Sequence, residues 1–528
     1  MVAIHVEVED GSLQRASMIA MARAGRAYPE LARELDVHAL LAGELGNPRR
    51  ALSEVAVLSL GVLGGVRASA TLSSILIDDK AAQKAMRTTR IPIRARALAA
   101  YSIGLLCDGR ESSVQTLHAV HHLSAVLQDE GTRYADLQTA CVLGLGLVRF
   151  PQFSGEDDLS LGRSLSEPVE SLIALLENKR TRDAIRTHAP TAIARLVAGG
   201  PESLRQRAAH VLLEHANRSK EKKDAVRHSS LAALGLIGTA GPDGIDKKIR
   251  AGLTQALRGG QSLERNFAAL ALGQVGGRMG SDPAASMDGA SEVAKALSHM
   301  LVSGKSRQRP WIGLALGVQG HGMLRSKMQL PREVLSSLAM RVQETRTPQD
   351  TSAYCLAAGL ARSTQAQKSV EEDLDRVHDD SLRAKIALSL GLMGASTSRE
   401  LLAREMDESS HKPQMMEQAG LARHLLGDTT LVPDLIEKLG ECDCGFSASG
   451  VTQALSWTRD PRAVAPLLKM ARDKQRSNSE RAAAVIALGR LADDDPLPIA
   501  RKLAHGVNYP AAPATLTDPT GYGVLDVL

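Results

Sequence analysis

Large aromatic side chains are scarce in this 528-residue chain, where four Phe, six Tyr and two Trp make up 2% of the sequence. An interior built on aromatic packing is therefore excluded, and the 44% apolar fraction must consist mainly of Ala, Leu, Val and Ile. Cysteine is sparse too, and an odd set of five residues implies no disulfide framework. We expect Cys107, Cys141 and Cys355, which lie in apolar runs, to act as small buried hydrophobic residues.

An excess of charge of one sign and long hydrophobic runs are also lacking. The 64 Lys and Arg residues nearly balance 59 Asp and Glu residues, and a net charge of +5 is small for a protein that coats nucleic acid. No run reaches the ~18 consecutive apolar residues of a membrane span. The first ten residues, MVAIHVEVED, do not have the basic-then-apolar order of a signal peptide. We therefore expect a cytoplasmic protein without a transmembrane segment.

A short phrase, Ala-Leu-Gly-apolar-apolar-Gly, recurs along most of the chain. Its clearest copies are residues 59–64, 233–238, 271–276, 315–320 and 389–394. The third residue of each copy is called the marker here, and the twelve markers are Gly61, Gly104, Gly144, Ala194, Gly235, Gly273, Gly317, Gly359, Gly391, His424, Ser456 and Gly489. Successive markers are 32 to 50 residues apart, which is typical of a two-helix repeat with loops of variable length. Such an array also explains how the chain exceeds the ~250–300 residues of a single compact core.

An arginine stands eight residues before the marker in seven of the twelve units. These arginines are Arg96, Arg186, Arg227, Arg265, Arg309, Arg383 and Arg481. The segment from arginine to marker is Ala-rich and apolar at i, i+3, i+4 and i+7, which predicts a helix buried over most of its circumference. We expect the glycine that ends each phrase to stop this helix, and a second amphipathic helix to follow. The sequence thus predicts an all-α fold, a right-handed α–α superhelix (an α-solenoid) of about twelve repeats.

The marker glycines predict a close helix contact. Glycine inside a helix is about 1 kcal/mol less favourable than alanine, so its recurrence at one position requires a compensating reason. We expect that reason to be close approach of the partner helix of the same repeat. Gly289, by contrast, lies in a segment with the composition of a loop, and its substitution is expected to be nearly neutral.

The pattern Arg-x-x-Ala-Ala-x-Ala-Leu-Gly-x-apolar-Gly resembles the HEAT and HEAT-like repeats of bacterial proteins, the class also named after phycobilisome lyases. The resemblance covers about residues 50–500, with its best copies at residues 227–238, 265–276 and 481–492. It implies that the recurrent arginine pairs with an acidic residue at the turn between repeats. The longer units also resemble proteasome/cyclosome repeats.

The repeat rhythm sets the expected domain boundaries. We expect an N-terminal helical cap over residues 1–49 and a HEAT-like repeat array over 50–504, followed by a Pro-rich C-terminal tail over 505–528. Within the array, longer repeats extend to about residue 358 and regular repeats of 32–33 residues follow. Two internal segments interrupt the rhythm: residues 150–166 are acidic and Gly/Ser-rich, and residues 276–289 have a loop composition. These segments and the tail are candidate partner contacts, and the apolar end of the tail is expected to dock on the last repeat.

Histidine-rich segments offer weak metal-binding signals. His118, His121 and His122 share one helix face, but no Cys, Asp or Glu at a suitable spacing completes a ligand set. His210, Glu214 and His215 resemble part of a metalloprotease signature, yet the segment is one residue too long for His-x-x-Glu-His. No His-Glu dipeptide, the ligand motif of HEAT-fold iron hydroxylases, occurs in the chain. Solvated or partly buried histidines are the simpler interpretation.

Other catalytic and binding motifs are equally weak. Cys442 and Cys444 form a single Cys-x-Cys, which favours a loop thiol pair over a metal site, and there is no phosphate-binding loop. We therefore predict no catalytic, cofactor-binding or metal-ligating residues, no cofactor and no enzymatic activity. Basic pairs recur at Arg94/Arg96, Arg205/Arg207, Lys222/Lys223, Lys247/Lys248 and Arg307/Arg309.

The function expected from the sequence is that of a non-enzymatic protein–protein interaction scaffold. One alternative is a nucleic-acid-binding HEAT-like protein, but the balanced charge and scarce aromatic residues favour pairing of the basic residues with neighbouring acids. Another alternative is a lyase-type HEAT-repeat enzyme or chaperone that acts on a bound cofactor or partner protein. Salt-dependent nucleic-acid affinity or a bound chromophore would distinguish these alternatives from a scaffold.

Overall fold

A computed structural model describes residues 1–7, 10–107, 113–129, 134–149, 157–198, 200–493 and 515, and the regular elements within these ranges are helices. The chain divides into two compact units, one formed by Met1–Ala233 with Leu488–Leu528 and the other by Leu234–Ala487. None of the described helices is both long and apolar enough to cross a membrane.

The first unit contains the helices up to α14. They are α1 (Val2–Glu7), α2 (Gly11–Ala27), α3 (Pro29–Glu34), α4 (Val37–Gly43), α5 (Arg50–Leu63), α6 (Gly65–Ile77), α7 (Lys80–Ala85), α8 (Ile93–Leu106), α9 (Ser113–Gln128), α10 (Ala135–Leu147), α11 (Asp157–Glu177), α12 (Asp183–Arg186), α13 (Ala189–Leu196) and α14 (Glu202–Ala216). Helix α15 (Asp224–Ile237) begins in the first unit and ends in the second.

The second unit contains the more regular repeats. Its helices are α16 (Gly244–Gly259), α17 (Ser262–Gly277), α18 (Met287–Ser303), α19 (Arg309–Arg325), α20 (Arg332–Glu344), α21 (Pro348–Leu360), α22 (Gln367–Arg376), α23 (Asp380–Met393), α24 (Arg399–Asp407), α25 (Pro413–Leu425), α26 (Leu431–Glu441), α27 (Gly445–Thr458) and α28 (Val464–Arg472). Helix α29 (Asn478–Ala492) begins in the second unit and ends in the first.

Helices that contain a marker pack side by side within each unit. In the second unit α17, α19, α21, α23, α25 and α27 contact one another in that order, and α16, α18, α20 and α22 contact one another in a second row. In the first unit α5, α8, α10 and α13 form the marker row, which α2 precedes. All twelve markers lie inside helices, as predicted. This two-row stacking is the all-α solenoid expected from the repeat pattern.

Most marker glycines lie closest to the marker helix of an adjacent repeat, so the prediction that they face the partner helix of the same repeat is wrong. A Cβ built on Gly273 of α17 would lie 2.3 Å from the carbonyl oxygen of Ala315 on α19. A Cβ on Gly391 of α23 would lie 2.5 Å from the Cα of Ala422 on α25. The physical reason is that marker helices form one row, and their smallest residues lie where neighbouring backbones approach most closely.

Gly289 does not lie in a loop. It is inside α18, and a Cβ there would be 2.2 Å from the carbonyl oxygen of Ala240. The loop spans only residues 278–286. Because a side chain at position 289 would meet backbone atoms, the expectation that its substitution is nearly neutral is wrong.

The glycines that end each phrase stop only some of the helices. Gly64 and Gly394 follow α5 and α23 with φ of 74° and 80°, a conformation that favours glycine and ends a helix. Helices α17 and α19 instead continue through Gly276 and Gly320. At Gly276 a Cβ would lie 2.8 Å from the Val293 side chain, so this glycine serves helix packing and not termination.

The recurrent arginines all bond to backbone. Each donates a hydrogen bond of 2.8–3.1 Å to a carbonyl earlier in the chain, and the acceptors in chain order are Leu76, Leu176, Glu221, Gly260, Gly304, Leu374 and Ala471. Six of these acceptors lie at or next to the C-terminal end of an earlier α-helix, which is α6 for Leu76, whereas Glu221 lies in the turn between α14 and α15. The last carbonyls of a helix have no donor within it, so these six guanidinium groups act as C-terminal caps. Arg186 pairs with Glu221 in the turn between α14 and α15, as the resemblance implied. Arg383 also has an acidic partner, but that residue, Glu405, lies inside α24 and not in a turn.

The interrupting segments and cysteines have definite outcomes. Helix α11 includes residues 157–166, so the second part of the predicted insertion is helical, whereas residues 150–156 lie outside the described ranges. The tail also lies outside them apart from Thr515, whose hydroxyl is 3.3 Å from that of Tyr101. The burial predicted for Cys107, Cys141 and Cys355 is confirmed.

Candidate functional site

A cleft in the first unit begins with an interruption of the helices after α2. Pro29 starts the short helix α3, where its missing N–H is no loss at a first-turn position. Asp36 then adopts a left-handed conformation (φ 41°) and caps α4 by accepting a hydrogen bond from the Ala39 N–H at 3.2 Å. Helix α3 contacts α2 and α4, and none of its six residues is buried.

The cleft lies between α3 and the junction of α5 with α6 and has a volume of about 370 Å³. Gly25, Ala32 and Leu63 are among its apolar lining residues. The junction itself consists of Gly64 and Gly65, whose φ values of 74° and 84° allow α5 and α6 to follow each other without an intervening loop.

Large apolar side chains are exposed in this cleft and on the surface next to it. Val66, at the start of α6, lines the cleft and is 69% exposed. Tyr28, Leu31 and Leu35, on or beside α3, are 58%, 50% and 46% exposed and lie next to the cleft, outside its lining. Single exposed apolar residues are common on proteins, but a concentration of them beside a concave surface is typical of an interaction site.

Charged groups surround the apolar surface. Arg67 donates to Asp36 at 2.8 Å, and this hydrogen bond is the main reason that the pKa of Asp36 is lowered. Arg26 donates to the carbonyl of Val62 at 2.9 Å. Partial burial lowers the pKa of His38, which favours the neutral imidazole. The lining thus offers apolar contacts and guanidinium groups, which suit binding.

The histidine segment on α9 does not converge on one point. His118 and His121 are exposed, and the rings of His121 and His122 meet edge to face with centroids 6.1 Å apart. Partial burial, followed by the neighbouring His121 and His118, lowers the pKa of His122.

The segment on α14 is divided between solvent and a structural ion-pair network. His210 is exposed, with Nδ1 2.8 Å from the carbonyl oxygen of Gln206. His215 is half-buried, with Nδ1 3.2 Å from Oε2 of Glu221, a carboxylate that also accepts a hydrogen bond from Arg186 at 2.6 Å. His215 therefore belongs to the arginine cap of this repeat.

The Cys-x-Cys turn has a partner that sequence reasoning missed. Within the described part of the chain, one group of three ligand-type side chains lies close enough to hold a metal ion: His411, Asp443 and Cys444. Cys444 Sγ is 3.8 Å from His411 Nδ1. Cys442 is buried, and its thiol donates instead to the carbonyl of Lys438 at 3.3 Å. The missed signal is the spacing of 33 residues between His411 and Cys444, which equals one repeat.

Several residues of the basic pairs form ion pairs or hydrogen bonds with other residues of the chain. Arg94, Arg205 and Arg207 form ion pairs, with Glu54, Glu202 and Glu170 as their respective partners. Arg96 and Arg309 cap preceding helices. Lys247, Lys248 and Arg307 are exposed.

No known family model and no curated protein matches this chain. Among solved structures, an engineered protein is 15% identical with a TM-score of 0.30, and the match covers 80% of this chain and 98% of that one. Importin beta is 14% identical with a TM-score of 0.38, and the match covers 92% of this chain and 75% of that one. These likenesses are too distant to support an argument about function. The stacked helix pairs described above make this chain an all-α helical-repeat protein.

Proposed function

We propose that this protein is a non-enzymatic protein-binding scaffold, and that the cleft beside α3 takes up an apolar segment of a partner protein. The observation that carries the proposal is a cleft of about 370 Å³ whose lining includes Ala32, Leu63 and the exposed Val66. The neighbouring surface of α3 exposes Tyr28, Leu31 and Leu35, which extends the apolar area beyond the cleft. Burial of large apolar side chains at the centre of an interface supplies most of its binding free energy.

The chemistry of the cleft favours a protein segment with acidic residues beside its apolar ones. Three arginines, Arg26, Arg33 and Arg67, line the cleft together with a single carboxylate, that of Asp36. A nucleic acid would require a wider basic surface and aromatic rings on which bases stack. The apolar contacts supply affinity, and the guanidinium groups orient the acidic side chains of the partner.

A peptide-display selection on the immobilised full-length protein tests this proposal. We expect selected peptides to combine apolar anchors with Asp or Glu, and the Ala32→Asp/Val66→Asp double variant, which changes two lining residues, to weaken their binding about tenfold or more. Val302→Asp is the control, because Val302 is also an exposed valine (58%) but lies on α18.

Two results would overturn the proposal. Selection that yields only peptides bound equally by the wild type and the double variant would exclude the cleft as the binding surface. Purification of the protein with a bound chromophore, or steeply salt-dependent binding of nucleic acid, would favour the enzyme or nucleic-acid alternatives.

A further inference from the structure

Two consecutive repeats bring unlike side chains together at one edge of the second unit. His411 lies two residues before α25, and Cys444 is the N-cap residue immediately before α27. Because α25 and α27 pack against each other in the marker row, these equivalent turns are neighbours. One ligand atom from each of His411, Asp443 and Cys444 lies within 4.8 Å of the others.

The distances suit a tetrahedral metal ion. Zinc binds sulfur at about 2.3 Å and imidazole nitrogen at about 2.0–2.1 Å, so two such ligands are about 3.5 Å apart in a tetrahedron. The separation of Cys444 Sγ and His411 Nδ1 is 3.8 Å, and a rotation of the exposed His411 side chain closes this small difference. Thiolate, imidazole and carboxylate together form a donor set that zinc accepts and that calcium or magnesium does not favour.

The local structure holds two of these side chains in place. Ser447 Oγ donates to Asp443 Oδ1 at 3.3 Å and lies 3.5 Å from Cys444 Sγ, so one hydroxyl contacts both groups. Arg476 donates to the carbonyl of Cys442 and anchors the turn to the next repeat. Hydrogen bonds of this kind, from outside the ligand set, orient metal ligands and raise affinity.

We propose that His411, Asp443 and Cys444 form a binding site for a divalent transition-metal ion of the zinc class. Three protein ligands leave a fourth position to water or to a donor group of a bound molecule. The site joins two successive repeats, so an ion bound there ties α25 and α27 together at their N-terminal ends. This proposal is independent of the cleft beside α3, which lies in the other unit.

The test uses the full-length protein after treatment with a chelator. Titration with Zn²⁺ by calorimetry should show a single class of binding site, and Zn²⁺ should raise the melting temperature. Titration with Co²⁺ should produce the visible bands of a tetrahedral ion together with a sulfur-to-cobalt charge-transfer band. Loss of that charge-transfer band in Cys444→Ser would identify the sulfur ligand.

Variants distinguish this site from nonspecific metal binding. We expect His411→Ala, Asp443→Asn and Cys444→Ser each to weaken Zn²⁺ binding by about tenfold or more, and Ser447→Ala to weaken it by about tenfold. Cys442→Ser is the matched control for the thiol, because Cys442 is two residues away and bonded to Lys438. His378→Ala, at another exposed histidine, is the control for the imidazole. Circular dichroism of each variant confirms that the fold is retained.

The outcomes that would overturn the metal site are equally definite. Absence of the cobalt bands and of Zn²⁺ binding in the wild type excludes it. An equal loss of affinity in Cys442→Ser and Cys444→Ser excludes the assigned ligand set. Rapid alkylation of Cys444 that depends on His411, without metal binding, would assign the pair to thiol chemistry instead.

Discussion

Replacement of Gly273 by alanine tests the packing of the marker row directly. The new Cβ would lie 2.3, 2.9 and 3.1 Å from the carbonyl oxygen, carbonyl carbon and Cα of Ala315, whereas ordinary contacts of a Cβ are 3.4–4 Å. Helices α17 and α19 must therefore separate by roughly 1 Å. Overpacking destabilises by ~1–3 kcal/mol, and a clash with backbone atoms, which cannot rotate away, belongs at the upper end of that range, about 2–3 kcal/mol. The helix propensity of alanine offsets about 1 kcal/mol of that. We expect Gly273→Ala to lower the free energy of unfolding by about 1–2 kcal/mol.

The assay is unfolding in guanidinium chloride followed by circular dichroism. Gly440→Ala is the matched control, because Gly440 lies inside α26 with no atom within 4 Å of a built Cβ. That change should leave stability unchanged or raise it by up to about 1 kcal/mol. Gly289→Ala should destabilise like Gly273→Ala, because its Cβ would meet the carbonyl of Ala240. If Gly273→Ala proved as stable as the wild type, the close contact between α17 and α19 would be refuted.

Two further predictions concern buried polar side chains. Arg186→Ala should destabilise the protein by about 3 kcal/mol in chemical unfolding, because it leaves the buried Glu221 carboxylate without its guanidinium partner. The control, Arg462→Ala, breaks only the surface pair with Asp460 and should change stability by less than about 1 kcal/mol. Equal effects of the two substitutions would contradict the role assigned to Arg186. Burial lowers the pKa of His188 from 6.5 to about 4. Between about pH 6.5 and pH 4 the unfolded chain therefore binds a proton at this residue that the folded chain does not, so the folded state loses stability as the pH falls through this range. His188→Asn should therefore show a smaller drop in melting temperature between about pH 7 and pH 5 than the wild type, and an unchanged drop would show that other groups dominate the acid response.

The sequence by itself determined the repeat and its helical character. The twelve markers and the spacing of apolar residues around them lie within contiguous segments, where side chains three or four residues apart share a helix face. The same holds for the arginine eight residues before the marker, which in six of the seven units lies in the first turn of the marker helix or at the residue after it; Arg186 instead ends the short helix α12. Local periodicity is sufficient for such features, because they depend on the residues of one helix and its adjoining turn.

Only the tertiary structure decided which neighbour each residue meets. Gly273 and Ala315 are 42 residues apart, and their contact follows from the stacking of marker helices in one row, which the phrase itself does not encode. The approach of His411 to Cys444 has the same origin, since it joins equivalent turns of successive repeats. The exposure of Tyr28 and Leu31 is likewise a tertiary property, because α3 has an apolar side but packs no residue into the rows. In each case the deciding quantity is the distance between separate helices, which depends on how all the intervening side chains pack.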